Sequence, residues 1–384
     1  MILKLFKYII LIVLLNLFYL CYLIFGKSDD KFKEIEKYIK FNLAGNLSLS
    51  PSLFYNRKCP EISIIISTFN GETYLKPAVR SIQNQNFSNL EIIIVDDGSI
   101  DNSIEVIKEL MKEDKRIKLL SNSFNRGTLY TKVRGVLNAK GKYVMTLDHD
   151  NLYATKYVFY KLYKEAEQFN LELLGFSSIF TGVEIKNLRK SNYVNYFETK
   201  IIKQPNIKKR FLGFNSNVES QTYLCLFFIK TNLFKNTIKQ LGDEFINRNI
   251  DDGDDTILMF ILSRNAVNLK HLKEISYIIL VWPKEYSESL KFQKIVKIKE
   301  RERKKCYSYL TFIEILILFT GEIDKFIAEK YLFIFFFNQE KCINNKNVKN
   351  ESIRVCNLFL NDEYVSSNTK KKINMYLNEL KQQK

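Results

Sequence analysis

The sequence predicts an α/β domain built on a mainly parallel central sheet flanked by helices, between an apolar N-terminal segment and a mostly helical, Lys-rich C-terminal extension. Three observations predict it. From Glu61 onward, short β-branched runs alternate with amphipathic stretches of helical period, which is the pattern of strand-helix units around a parallel sheet. Four such units fall within about a hundred residues. Several runs also end in clusters of polar side chains, as expected where the carboxyl ends of parallel strands border a ligand crevice.

Composition narrows the class. The 384 residues are 46% hydrophobic and 14% aromatic, which excludes a disordered or fibrous chain. A formal net charge of +17 raises nucleic acid as a partner. The excess is better explained by drift: Lys far outnumbers Arg, Asn, Ile, Phe and Tyr are abundant, and Gly and Pro are scarce. No nucleic-acid partner is expected. The basic run Lys291–Lys305 reads as a solvated helix face.

In chain order, Tyr8–Phe25 is an uncharged apolar stretch long enough to span a bilayer, preceded by Lys4 and Lys7 and followed by no small-residue cleavage site. Residues 1–26 are therefore expected to be a cytosolic stub and uncleaved signal anchor. Positive-inside bias puts the N-terminus in the cytosol and the rest in a Golgi or endoplasmic-reticulum lumen, as a single-pass type II membrane protein. Residues 27–59 read as a stem, 60–285 as the α/β domain and 286–384 as the extension. Cys59, Cys225, Cys306, Cys342 and Cys356 lie beyond the anchor without a Cys-x-x-Cys pair, which argues against zinc and leaves room for one or two disulfides. Asn-x-Ser sequons at Asn46, Asn86 and Asn350 agree with a lumenal address.

Within the domain, strands are expected at 62–67, 91–95, 117–120 and 143–147. Helices are expected near 72–84, 103–112, 128–139 and 153–169. Further along come a strand at 223–229, a helix at 254–265 and a strand at 274–281. The first strand ends in Ser67-Thr68-Phe69-Asn70-Gly71-Glu72, which is not a Gly-x-Gly-x-x-Gly dinucleotide turn. The second ends in Val95-Asp96-Asp97-Gly98-Ser99-Ile100-Asp101. Asp101 fits a helix N-cap, whereas Asp97 at a strand terminus can accept the N3–H of a uracil ring. The fourth ends in Asp148-His149-Asp150. Its two carboxylates share one side of extended chain and supply hard oxygens suited to Mn²⁺ or Mg²⁺ bridging a diphosphate, with His149 turned away.

The runs ISIIISTFNGETYLKPAVRSIQNQNFSNLEIIIVDDGSIDNS and NRGTLYTKVRGVLNAKGKYVMTLDHDN resemble the nucleotide-binding half of glycosyltransferase family 2, inverting enzymes of GT-A fold. The stretch from YLCLFFIKTNLFKNTIKQLG through DDGDDTILMFILSRNA resembles the acceptor half. The resemblance implies that Ser67, Asn70 and Glu72 surround the nucleotide, with Asp97 on the base and Arg134 nearby. It implies that Asp148 faces the ribose and metal, and that Asp150 ligates the metal. The family's Glu-Asp pair falls on Asp254 and Asp255, with Asp255 the general base and Asp254, in place of the usual Glu, at the acceptor. The activity implied is inverting transfer from a nucleotide-sugar donor, a UDP-sugar, to a hydroxyl of a glycan, lipid or protein acceptor. The alternative is an inactive lumenal scaffold or carbohydrate-binding subunit that keeps the fold. The chain lacks the Gln-x-x-Arg-Trp signature of processive polysaccharide synthases and the Gly-rich loop of pyrophosphorylases.

Overall fold

The computed structural model describes residues 27–47, 59–182, 193–194, 200–211, 223–250, 253–281, 306, 308, 310–318, 346–362 and 365–382. Among them, no helix is long and apolar enough to cross a membrane. The expected anchor at Tyr8–Phe25 and the basic run at 291–305 lie outside the described residues.

The first half folds as β1 (Ile62–Thr68), α2 (Leu75–Gln83), β2 (Leu90–Asp96), α3 (Ser103–Glu113), β3 (Ile117–Ser121), α4 (Thr128–Asn138) and β4 (Tyr143–Asp148), preceded by α1 (Lys27–Leu43). These four strands are parallel, in the order β3-β2-β1-β4. Helices cover both faces, so β1 and β2 read as Ile/Val-rich runs without polar alternation, interrupted only by Ser63 and Glu91, which hydrogen-bond each other at 2.7 Å, before their polar ends. Every residue of β2 is buried.

The second half departs from a mainly parallel sheet. β9 (Phe227–Lys230) pairs antiparallel with both β4 and β6 (Leu173–Gly182), and β10 (Asn268–Val281) runs parallel to β6 but antiparallel to β5 (Leu152–Tyr153). With β7 (Tyr193–Val194) on β6 and β8 (Ile202–Lys203) on β10, the sheet has ten strands among the described residues and is mixed. The helix expected from residue 153 begins only at α5 (Val158–Phe169). Tyr153 and Leu152 pair instead with Tyr277 and Ile278, and Asn151 Oδ1 accepts the Leu280 N–H at 2.9 Å. The strand expected at 223–229 opens as a short 3-10 turn at Leu224–Leu226. α6 (Asn206–Phe211) precedes this turn, and α7 (Thr231–Ile246) and α8 (Asp254–Asn265) follow β9.

The segment read as a stem begins as a docked helix. Ile35 and Ile39 of α1 are fully buried against Leu152, Ala154 and Ile278. Asn84 Nδ2 donates to Asn42 Oδ1 at 2.7 Å, and Arg80 Nε to the Gly45 carbonyl at 3.1 Å. In the extension, residues 310–318 are helical, as are α9 (Lys346–Asn361) and α10 (Ser367–Gln382). Leu310, Ile313, Leu316, Val355 and Phe359 join the same core as the sheet. Cys306 is in a disulfide, while Cys225 and Cys356 are buried free thiols.

Candidate active site

Parallel pairing in register brings three strand ends to one edge. Ser67 pairs with Val95 and Asp148, and Thr68 with Asp96. The loops that leave β1 and β2 are laced together. Asn70, at φ 53°, donates its N–H to Ser99 Oγ at 2.9 Å and accepts the Ile100 N–H on Oδ1 at 3.0 Å. Asn tolerates this left-handed conformation better than most residues. Glu72 accepts both the backbone and the side-chain N–H of Asn102, at 3.3 and 2.9 Å. Asp101, expected at the N-cap, lies one residue before it, since Asn102 holds that position; its side chain still accepts the Ser103 N–H at 3.1 Å.

Asp97 is 4% exposed and faces inward. Its Oδ1 accepts from Asn122 Nδ2 at 2.6 Å and the Arg126 N–H at 2.9 Å, while Oδ2 accepts the Gly127 N–H at 2.9 Å. It therefore organises the loop between β3 and α4. Arg134 belongs to the same network, donating to the Ser121 carbonyl at 2.7 Å and to Asn122 Oδ1. The sequence placed Asp97 and Arg134 near one another; Asn122 is what joins them.

On the other side of Ser67, the Asp148 side chain is 36% exposed and accepts from Asn151 Nδ2 at 3.3 Å. Burial pushes the Asp150 carboxyl above its usual range; the Asp148 charge adds to this and His149 opposes it. His149 turns back under β1, with Nδ1 3.2 Å from the Ser67 carbonyl and its ring 5.7 Å from that of Tyr74.

Facing these residues is the N-terminus of α8, where Gly253 sits at φ 84° and Asp254 and Asp255 occupy the first turn. Anionic groups are favoured there by the helix dipole. Between the two acidic sites lies a lysine that the motifs did not flag. Lys132 of α4, 4% exposed along its side chain, places Nζ 2.6 Å from Asp255 Oδ1, 2.8 Å from Asp254 Oδ2 and 3.9 Å from Asp148 Oδ1. Burial disfavours its charge, but Asp254, Asp255 and Asp148 outweigh burial and hold it protonated. The Leu224 N–H donates to Asp255 Oδ2 at 3.0 Å. Burial, with Asp254 and Asp148 adding and Lys132 opposing, pushes the Asp255 carboxyl up to about 7. Of the pair, Asp255 is the more open, 20% exposed against 8% for Asp254.

A sequence signal for Lys132 existed. It sits at helical spacing with Leu129, Val133 and Val136, on the buried stripe of α4, where a lysine needs partners.

No group of three or more His, Cys, Asp or Glu side chains among the described residues is arranged to hold a metal ion. Asp148 and Asp150 supply two carboxylates. That donor set fits Mg²⁺ or Mn²⁺ only as such ions bind beside a nucleotide, through one or two carboxylates with phosphate oxygens completing the shell.

Residues 63–222 match the sequence profile of Glycosyl transferase family 2. An uncharacterised glycosyltransferase of Haemophilus influenzae is 41% identical over 95 residues, covering 25% of this chain and 38% of that protein. The GalNAc(5)-diNAcBac-PP-undecaprenol beta-1,3-glucosyltransferase of Campylobacter jejuni is 42% identical over 93 residues, 24% of this chain and 30% of that protein. The alignments thus span 38% and 30% of these relatives' lengths. The crystal structure of S. aureus TarS 1-349 in complex with UDP-GlcNAc superposes with a TM-score of 0.53 at 14% identity, over 84% of this chain and 87% of TarS 1-349, which is a likeness of fold. Residues 63–222 thus resemble glycosyl transferase family 2, and the chain shares the GT-A-like α/β fold of TarS 1-349.

Proposed function

We propose that the protein is an inverting glycosyltransferase that moves a sugar from a UDP-sugar to an acceptor hydroxyl. The observation that carries this reading is the meeting of two acidic sites across Lys132. The Asp148–Asp150 strand end and the Asp254–Asp255 helix start face one another at the carboxyl edge of the sheet, where α/β folds bind ligands. The nucleotide would lie over the strand ends at Ser67, Asn70 and Glu72, beside the loop that Asp97 and Arg134 hold. TarS, of similar fold, has been crystallised with UDP-GlcNAc and with UDP, which supports a uridine nucleotide. The Campylobacter relative acts on an undecaprenol-linked glycan, which makes a lipid-linked glycan the first acceptor to test.

Asp255 takes the proton from the acceptor hydroxyl as its oxygen forms a bond to the anomeric carbon and the sugar–phosphate bond breaks, leaving UDP with the bonding electrons. A carboxylate raised to about 7 is matched to this work near neutral pH. Lys132 keeps that carboxylate oriented, and Asp254 supports the acceptor side. A divalent ion held by Asp148 and Asp150 would supply neutralising charge at the diphosphate. Residues 8–25 would anchor the enzyme in the membrane.

The test is release of UDP from a panel led by UDP-GlcNAc and UDP-glucose, with and without Mn²⁺ or Mg²⁺. Transfer is expected to fall about 10²–10⁴-fold in Asp255→Asn, with UDP affinity unchanged. No turnover with any donor, together with unchanged UDP binding by Asp150→Ala, would leave the inactive-scaffold reading.

A further inference from the structure

We infer that the C-terminal extension completes this active site: Glu314, clasping Arg248 and Arg354, is a positioning residue that holds the Asp255 segment against α4. The inference rests on the reading of Asp255 as the base. Glu314 is 4% exposed along its side chain, and Arg248 12%. Arg248 Nη1 donates to Glu314 Oε2 at 2.6 Å and to Thr311 Oγ1 at 3.3 Å. Its Nη2 reaches Glu244 at 2.8 Å, and its guanidinium lies 4.4 Å from the Phe245 ring centre. Arg354 donates to the same Glu314 oxygen, and its other contact is Glu351 at 2.7 Å. Glu351 also lies 4.0 Å from Arg248, but Glu314 is the most buried carboxylate of the cluster, and its removal leaves Arg248 with only a longer contact and the exposed Glu244.

What this cluster grips is the short connection between α7 and α8. Directly around Arg248, Asn247 Oδ1 accepts from Arg126 at 2.7 Å, and the Ile250 carbonyl accepts the Leu129 N–H at 3.1 Å. Ile250 is fully buried, and a side chain on Gly127 would meet its backbone at 2.8 Å. The connection is thus pressed onto the loop that serves Asp97 and onto the start of the helix that carries Lys132. The extension also touches the far side of the connection. Ser308 lies 3.8 Å from where a Gly253 Cβ would be, and Phe312 packs edge-on against Phe260 of α8 at 5.8 Å. Asp255 sits between these two holds, so its distance to Lys132 depends on residues that begin about fifty positions later in the chain.

The experiment is amide hydrogen exchange on the full chain and on Glu314→Gln. The Leu224 amide donates to Asp255 and reports its placement without turnover; the Leu129 amide reports the grip on Ile250. Both are expected to exchange at least about tenfold faster in the variant, while Ile93 and Ile94 in β2 are unchanged, because local opening is independent of global unfolding. Transfer should lose about tenfold in kcat with the UDP dissociation constant unchanged, and Glu314→Asp should recover part of it. Unchanged Leu224 exchange, or equal acceleration in β2, would overturn the inference. Should Glu314→Gln fail to fold, Arg354→Lys at the half-exposed end of the cluster gives the same readouts at smaller amplitude. A wild-type protein without transferase activity would sink the proposed function, yet leave the exchange result to decide the clasp.

Discussion

Asp97 and Asp255 are both inward-facing carboxylates bordering the same crevice, yet they are held by different means. Asp97 is satisfied by one side-chain amide and two backbone N–H groups, all within 30 residues of it, in the loop between β3 and α4. Asp255 depends on an ammonium 123 residues earlier in the chain and, through the connection that precedes α8, on a salt-bridge cluster in the C-terminal extension. The side proposed for the donor is therefore held mainly by local hydrogen bonds, with Asn247 and Ile250 touching its loop from the connection between α7 and α8. The acceptor half is an assembly of charges from distant segments, and its electrostatics are more exposed to single substitutions.

The largest effect that would sharpen this contrast is Lys132→Met. It leaves Asp254 and Asp255 adjacent with no counter-charge, and breaking a buried ion pair in this way costs about 3–5 kcal/mol. Chemical denaturation should show the loss. A change below about 1 kcal/mol, the range of exposed pairs, would mean that the cluster is solvated and the comparison wrong.

Next is Gly127→Ala on the donor side. Gly127 sits at φ 89°, and its added Cβ would lie 2.8 Å from the Ile250 backbone while its N–H serves Asp97. A cost of about 1–3 kcal/mol is expected from backbone strain of this kind. Weakened UDP binding should accompany it. Unaltered UDP affinity would separate the Asp97 loop from the nucleotide.

The smallest is a pH dependence. With the Asp255 carboxyl up to about 7, kcat/KM should fall about tenfold per pH unit below that value, as an essential base is protonated. Stability should move the other way. Unfolded Asp titrates near 3.9, so between about 4 and 7 the folded state binds more protons and loses stability as pH rises. Asp255→Asn should remove that slope; a slope that persists belongs to another group.

Much of the donor half was legible in the chain. The Ile-rich runs of β1 and β2 and the Tyr-Val-Met-Thr-Leu run of β4 mark these strands because strands buried on both faces need mostly apolar side chains, and the polar residues after them lie at the sheet's carboxyl edge. The helix start at Asp254 was legible for a related reason, since Gly253 and two acidic residues precede an apolar run. β6 was not legible: LLGFSSIFTG mixes Gly and Ser into the strand, and it is ordered by pairing with β9 and β10 on either side. Nor was β5, where pairing with β10 overrides helical propensity.

By itself, then, the sequence determined the strand-helix alternation, the edge at which ligands bind and the acidic residues gathered there, because burial and backbone geometry act over a few residues at a time. Only the tertiary structure decided that the sheet is mixed, that α1 docks on the body, that Asp97 turns toward its neighbouring loop, that Lys132 meets Asp254 and Asp255, and that Glu314 meets Arg248 and Arg354. Those outcomes depend on which distant groups share one desolvated volume, where a charge is tolerated only beside its partner.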